Sequence, residues 1–101
     1  MNLLTKAIRE KAEKQFKKGS STSQMVVAKF FTPWTNWTWY LMNLDSDGDY
    51  AWGIVEGHST EMGSFSIKEL ESIKGPLGLK IERDMYFTPI QADELWNKLK
   101  K

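Results

Sequence analysis

Apolar residues recur every fourth position near the start of the chain, and further on they change to runs and alternations. Leu4, Ile8, Ala12 and Phe16 share one helical face, with Leu3 and Ala7 beside them. That period predicts an amphipathic helix over residues 3–18. Thr5 can cap its first turn, Lys17 and Lys18 suit the negative end of its dipole, and Gly19 can stop it. Arg9, Glu10, Lys11, Glu13, Lys14 and Gln15 form the outer, solvated face. Ser20-Ser21-Thr22-Ser23-Gln24 then reads as a polar linker without packing potential.

From Met25 the period shortens. Val26, Val27, Ala28, Phe30 and Phe31, with Lys29 the only charge, predict a strand covered on both sides. Pro33 breaks it. A second strand from about Asn36 to Leu44 sets Trp37 and Trp39 on one face and Thr38 and Tyr40 on the other. Asp45-Ser46-Asp47-Gly48-Asp49 is a hairpin turn, and a third strand runs from Tyr50 to Glu56. Two registers are open. A three-residue loop with Gly48 left-handed sets Trp39 opposite Val55 and Trp37 opposite Gly57. A two-residue Asp47-Gly48 loop sets Leu41 opposite Ile54 and Trp37 opposite His58. The first is preferred, because a large ring over a glycine covers exposed backbone.

Residues 57–63 read as a polar, flexible connection, followed by a short strand at Ser64-Phe65. Ser66-Ile67-Lys68-Glu69 has the form of a capping box and opens a short helix over residues 67–73, with Ile67, Leu70 and Ile73 inward. Lys74-Gly75-Pro76 ends it. Leu79 to Phe87 alternates as a last strand. Pro89 opens a C-terminal helix, residues 89–100, capped by Thr88 or Asp93 and striped by Leu95, Trp96 and Leu99. The chain therefore predicts one α+β domain over residues 1–101. An antiparallel sheet of four or five strands within residues 25–87 is flanked by N- and C-terminal helices, with a short helix before the last strand.

Composition narrows the function classes. In 101 residues the chain is 41% hydrophobic and 27% charged, with a net charge of +1. That balance excludes an acidic nucleic-acid mimic and gives no strong global pull toward phosphate. Five tryptophans lift the aromatic share to 13%, and each large ring removes roughly 150–250 Å² from water. The absence of cysteine removes disulfide and thiolate chemistry. No apolar run approaches the roughly 20 residues of a membrane span, and the first residues lack the apolar centre of a signal peptide. The expectation is a cytoplasmic protein with no membrane partner.

Two long stretches carry a resemblance. Phe30-Phe31-Thr32-Pro33 precedes Asn36-Trp37-Thr38-Trp39-Tyr40. Gly63-Ser64-Phe65-Ser66 leads into Glu69-Leu70-Glu71-Ser72-Ile73-Lys74-Gly75-Pro76-Leu77-Gly78-Leu79 and Ile81-Glu82-Arg83-Asp84. Together they resemble a family of short bacterial proteins known only as a domain of unknown function. The likeness covers about three-quarters of the chain, from the first strand to the last helix. It implies occurrence on phages, plasmids and other transferable elements, and it carries no activity.

The residues offer no catalytic or metal motif of any strength, and no cofactor is implied. Asp45, Asp47, Asp49 and Glu56 match positions of a calcium loop, but Tyr50 stands where that loop needs glycine and strands stand where it needs helices. His58, the single histidine, could line a cleft with Glu56 and Glu61 and serve a small hydrolase, yet it sits in a polar loop. Glu82-Arg83-Asp84 is a charge triplet suited to an internal ion pair or to a partner. The aromatic cluster is the main candidate for binding. From Asn36 to Glu56 the chain carries no lysine or arginine and four acidic residues, which disfavours base stacking and suits a protein partner. The expected binding residues are Trp34, Trp37, Tyr40, Glu82, Arg83 and Asp84, with Trp34 the most exposed and Trp39, Trp52 and Trp96 mainly buried. The function expected is a non-enzymatic protein-binding module. The resemblance adds a phage or mobile-element factor acting on a host defence system. The alternatives are a nucleic-acid-binding module using the surface aromatics and the basic first helix, and the hydrolase around Glu56 and His58.

Overall fold

The computed structural model describes residues 2–101. Helix α1 spans Lys6–Lys14, and the Thr5 hydroxyl at its N-cap accepts from the Ile8 N–H at 3.1 Å. A 3₁₀ turn, Phe16–Lys18, replaces its expected last turn, and Gly19 leaves it at φ 52°. The tighter winding carries Phe16 off the apolar stripe, so it is exposed, while Leu3 ahead of the helix is fully buried.

Strands β1 (Met25–Val26), β2 (Ala28–Phe31), β3 (Thr38–Leu44), β4 (Tyr50–Glu56) and β5 (Thr60–Ser66) follow. Then come α2 (Ile67–Ser72), β6 (Glu82–Arg83), β7 (Ile90–Gln91) and α3 (Ala92–Leu99). Five strands form one antiparallel sheet in the order β5-β4-β3-β2-β6, and β1 pairs with β7 apart from it. This is the α+β architecture expected, with a helix near each end of the chain and a short helix before β6. Among the described residues no helix is long and apolar enough to cross a membrane.

The sheet is apolar on both faces because both are covered. Ala12 of α1 and Ile67 and Leu70 of α2 bury Phe30, Trp39, Leu41 and Leu44. Ala92 and Leu95 of α3 bury Tyr40, Met42 and Ile54 on the other side. The pairing in mid-strand follows the preferred register, with Trp39 opposite Val55 and Leu41 opposite Gly53. The device that sets it differs. Asp45 N–H donates to Tyr50 O at 2.8 Å, so the loop holds one more residue than expected, and a bulge at Met42 takes up the difference. Gly48 has φ 74°, which only glycine adopts at no steric cost.

Several expectations give way to long-range contacts. Gln15 is not on the solvated face. Its amide donates to Met25 O and, at 2.6 Å, to Met42 O, which the bulge frees, and it accepts from Met25 N–H. Residues 20–24 are not an empty linker either. Gln24 is buried, donates to the carbonyls of Gly19 and Ser21, and accepts from Asn43 Nδ2 at 3.0 Å. The connection expected at residues 57–63 is mostly strand β5, paired to β4 along its whole length.

The Ser66 hydroxyl caps α2 by accepting from Glu69 N–H at 3.1 Å. The second side-chain acceptor at this helix end is Asp49 rather than Glu69. Its carboxylate accepts from the Ser66 hydroxyl at 2.6 Å and from Lys68 N–H at 2.9 Å. These bonds, the Ser66 one foremost, hold the Asp49 carboxyl below its ordinary value. Ile73, expected inward, is exposed, because the helix ends before it. The last strand shrinks to Glu82–Arg83, since residues 73–81 cross from the β5 side of the sheet to the β2 edge. The C-terminal helix starts at Ala92, not Pro89, because Ile90 and Gln91 first pair with β1. Gln91 occupies the N-cap with no side-chain bond, so neither Thr88 nor Asp93 caps it.

Candidate functional site

Toward the β6 edge, β2, the start of β3 and β6 leave an open cleft of about 610 Å³. Lys29, Phe31 and Thr38 line it from the sheet, and Trp37, Glu82, Arg83 and Asp84 border it. Four of the six expected binding residues therefore meet at one place. Thr32 and Thr35 close one end, their hydroxyls hydrogen-bonded to each other.

Asp84 builds the opposite rim. Its N–H donates to Lys29 O at 2.9 Å, which extends the β2–β6 pairing by one step. Its carboxylate accepts from Tyr86 N–H at 2.9 Å, an Asx-turn that turns the chain outward. The turn presents Met85 at 71% and Tyr86 at 96% exposure. Sequence reading missed these two residues. The signal was present as two large side chains directly after an aspartate, hidden by the assumption that the strand ran on to Phe87.

Within the triplet Arg83 pairs with neither neighbouring carboxylate. Arg83 donates to the carbonyls of Asn2 and Leu3, each at 2.9 Å, and so fastens the chain ahead of α1 to the sheet edge. None of the ion pairs among the described residues includes it. Asp84 pairs instead with Lys29 at 3.9 Å, and the Lys29 ammonium lies 5.8 Å from the centre of the Tyr40 ring. Tyr40 is buried beneath it, with its hydroxyl 3.3 Å from Glu56 and Phe87 at 6.2 Å. It supports the floor rather than meeting a partner. Burial first, and then the Glu56 and Asp84 charges, push the Tyr40 hydroxyl up to about 12.

A pH prediction follows from that shift. The folded state keeps the Tyr40 proton more tightly than the unfolded chain, whose value is 10.0. The stabilisation is complete below pH 10 and is lost as pH rises through about 12. A tyrosinate absorbance titration should show a step near pH 12 that Tyr40→Phe removes. A variant with an unchanged titration curve would refute the assignment.

Trp34 is less exposed than expected. Trp34 is half-buried with its ring against Gly75, where an added Cβ would stand 2.4 Å from it. Trp37 stacks on Trp39 at 5.9 Å and covers Gly57, as the preferred register requires. Of the three tryptophans expected to be buried, Trp39 is, while Trp52 and Trp96 are half-buried.

Over residues 2–99 the chain matches the family described as Protein of unknown function (DUF2958). It belongs to that family. The DUF2958 match takes in α1 and residues 20–24, beyond the three-quarters of the chain that carried the resemblance. No curated protein and no solved structure matches the chain.

In this DUF2958 member the acidic turn and His58 stand at opposite ends of β4. Asp47 accepts from the N–H groups of Asp49 and Tyr50, and Asp49 caps α2. Among the described residues no three histidine or carboxylate side chains converge as metal ligands. His58 is exposed in the β4–β5 turn, edge-on to Trp37 at 5.5 Å. Glu61, also expected at the cleft, shares a small depression with His58 and bonds the Ser59 hydroxyl at 3.0 Å. Glu56 instead turns to the opposite face and the Tyr40 hydroxyl.

Proposed function

We propose that the chain is a non-enzymatic protein-binding module that docks through the cleft beside β6. The observation that carries this reading is the Asx-turn that holds Met85 and Tyr86 out in solvent at the cleft rim, next to Arg83 and Trp37. Met and Tyr are among the side chains that interfaces favour, and exposing the two together costs solvation that a partner returns. Phe31 and Thr38 give the floor one apolar and one hydroxyl contact. The Lys29–Asp84 pair on that floor holds its two charges in fixed positions.

The family resemblance supplies the finer version: the partner is a host protein in the cytoplasm, a component of a defence system, met by a factor from a phage or mobile element. A nucleic-acid partner is less favoured by the same geometry, since Glu82 and Asp84 stand where phosphate would approach and Trp37 is stacked on Trp39.

The test is affinity capture from host lysate. Met85→Ala with Tyr86→Ala should weaken capture of a specific protein by roughly 30-fold or more, as interface hot spots do. Lys17→Ala, on the exposed 3₁₀ turn, should leave it unchanged. Equal capture by all three proteins, with the fold intact, would sink the proposal.

A further inference from the structure

Strand β5 is the opposite edge of the sheet, and it is unprotected. It runs seven residues, Thr60–Ser66, pairs with β4 without a bulge, and carries neither proline nor lysine. Natural sheets blunt such edges with short strands, lysines, prolines or bulges. The β6 edge obeys that rule at two residues, and β5 does not. Its hydrogen-bond phase is fixed at both ends. Ile67 N–H donates to Asp49 O, and Gly57 N–H donates to Ser59 O. The two-residue period between them turns the backbone of Glu61, Gly63 and Phe65 toward β4. The N–H and C=O groups of Met62 and Ser64 therefore point outward, as do those of Thr60, whose carbonyl accepts from Lys100 Nζ at 3.5 Å.

A groove of about 470 Å³ lies alongside, between β5 and α2. Trp39, Phe65, Leu70 and Ile73 line it, Asp49 and Glu69 rim it, and no lysine or arginine does. An open edge beside an apolar groove is the arrangement in which an extended segment adds as a strand, main-chain bonds giving affinity and the groove giving side-chain choice.

We infer that β5 accepts an extended segment of a partner protein as a sixth strand, with an apolar side chain opposite Phe65 and a basic one opposite Glu61. On that face the added side chains meet Phe65, Gly63 and Glu61 in turn, because these residues share it. An apolar residue opposite Phe65 enters the groove, and a cation answers Glu61 and Glu69. A second copy of this chain fits worse. Its fullest antiparallel register sets Glu61 of one copy beside Phe65 of the other, driving a carboxylate toward a groove already rimmed by two. This surface is separate from the cleft beside β6 and stands or falls without it.

The probe is a capped seven-residue peptide, Lys-Thr-Leu-Thr-Val-Thr-Lys, which presents the same face in either strand direction. Its addition to the full chain should slow hydrogen exchange at the Met62 and Ser64 amides. The version with glutamate for both lysines should bind about tenfold weaker. Ser64→Pro removes one outward donor and no ladder bond, as an edge allows, so it should keep the near-ultraviolet dichroism and lose the peptide. No added protection at millimolar peptide, or equal binding of the glutamate version, would overturn the inference. So would protection of the same amides that rises with protein concentration alone, since the occupant would then be a second copy.

Discussion

Gly53→Ala should leave little folded protein. Gly53 sits in β4 opposite Leu41, at the centre of the sheet. A Cβ built there would stand 1.8 Å from the Tyr40 carbonyl oxygen and 2.9 Å from the Tyr40 carbonyl carbon. Those are backbone atoms of the neighbouring strand, so no rotamer relieves the clash. The β3–β4 ladder must open, and β3 is the strand on which both core layers rest. The cost therefore exceeds the roughly 1–3 kcal/mol of ordinary overpacking and enters the range above about 4 kcal/mol reserved for broken frameworks. Against a total stability of roughly 5–15 kcal/mol, that is close to complete unfolding. Urea denaturation compared with Gly63→Ala, whose Cβ would meet nothing within 4 Å, isolates the effect. Equal midpoints for the two variants would refute the pairing of β3 with β4 described above.

Trp39→Ala carries the second largest effect, about 3–5 kcal/mol. The ring is 8% exposed, lies opposite Phe30 and Val55, and stacks on Trp37 at an interplanar angle of 28°. Its neighbours are strands held by their own ladders, so the cavity cannot collapse and the cavity term remains. Trp34→Ala should cost less, since that ring is half-buried at the edge of the same layer. It is nonetheless a packing residue, fitted to Gly75, and not the exposed contact that its place after Pro33 implies. A stability loss under about 1 kcal/mol at Trp39 would place the core elsewhere.

What the sequence made legible is what neighbouring residues decide. Thr5 and Ser66 cap helices because their partners lie three residues on. The β3–β4 register could be read because a ring over a glycine leaves a mark in both strands. The features that stayed hidden have distant partners. Gln15 looks like a surface residue until the Met42 bulge gives its amide a carbonyl, and Gln24 looks like linker until Asn43 meets it. β5 contains Glu61 and Gly63, which strands disfavour, and serines at positions 64 and 66; β4 supplies the template. At the cleft, Glu82, Arg83 and Asp84 stood out as charges, but their uses did not. Arg83 binds carbonyls about eighty positions away, and Asp84 shapes the turn that displays Met85 and Tyr86.

The crossing from β5 to β6 has a consequence for how the chain is made. Strands β3, β4 and β5 form a meander of adjacent segments and can pair as soon as they leave the ribosome. β2 cannot finish its pairing then. Its outer side waits for Glu82 and Arg83, and Arg83 in turn reaches back to Asn2 and Leu3, 81 and 80 positions earlier. Until Glu82 and Arg83 arrive, the growing chain therefore carries β2 as a bare edge with Phe30 and Phe31 in it, the kind of surface that nascent chains stick by and chaperones hold. A chain cut short before residue 82 keeps that edge open and has nothing of its own to close it with.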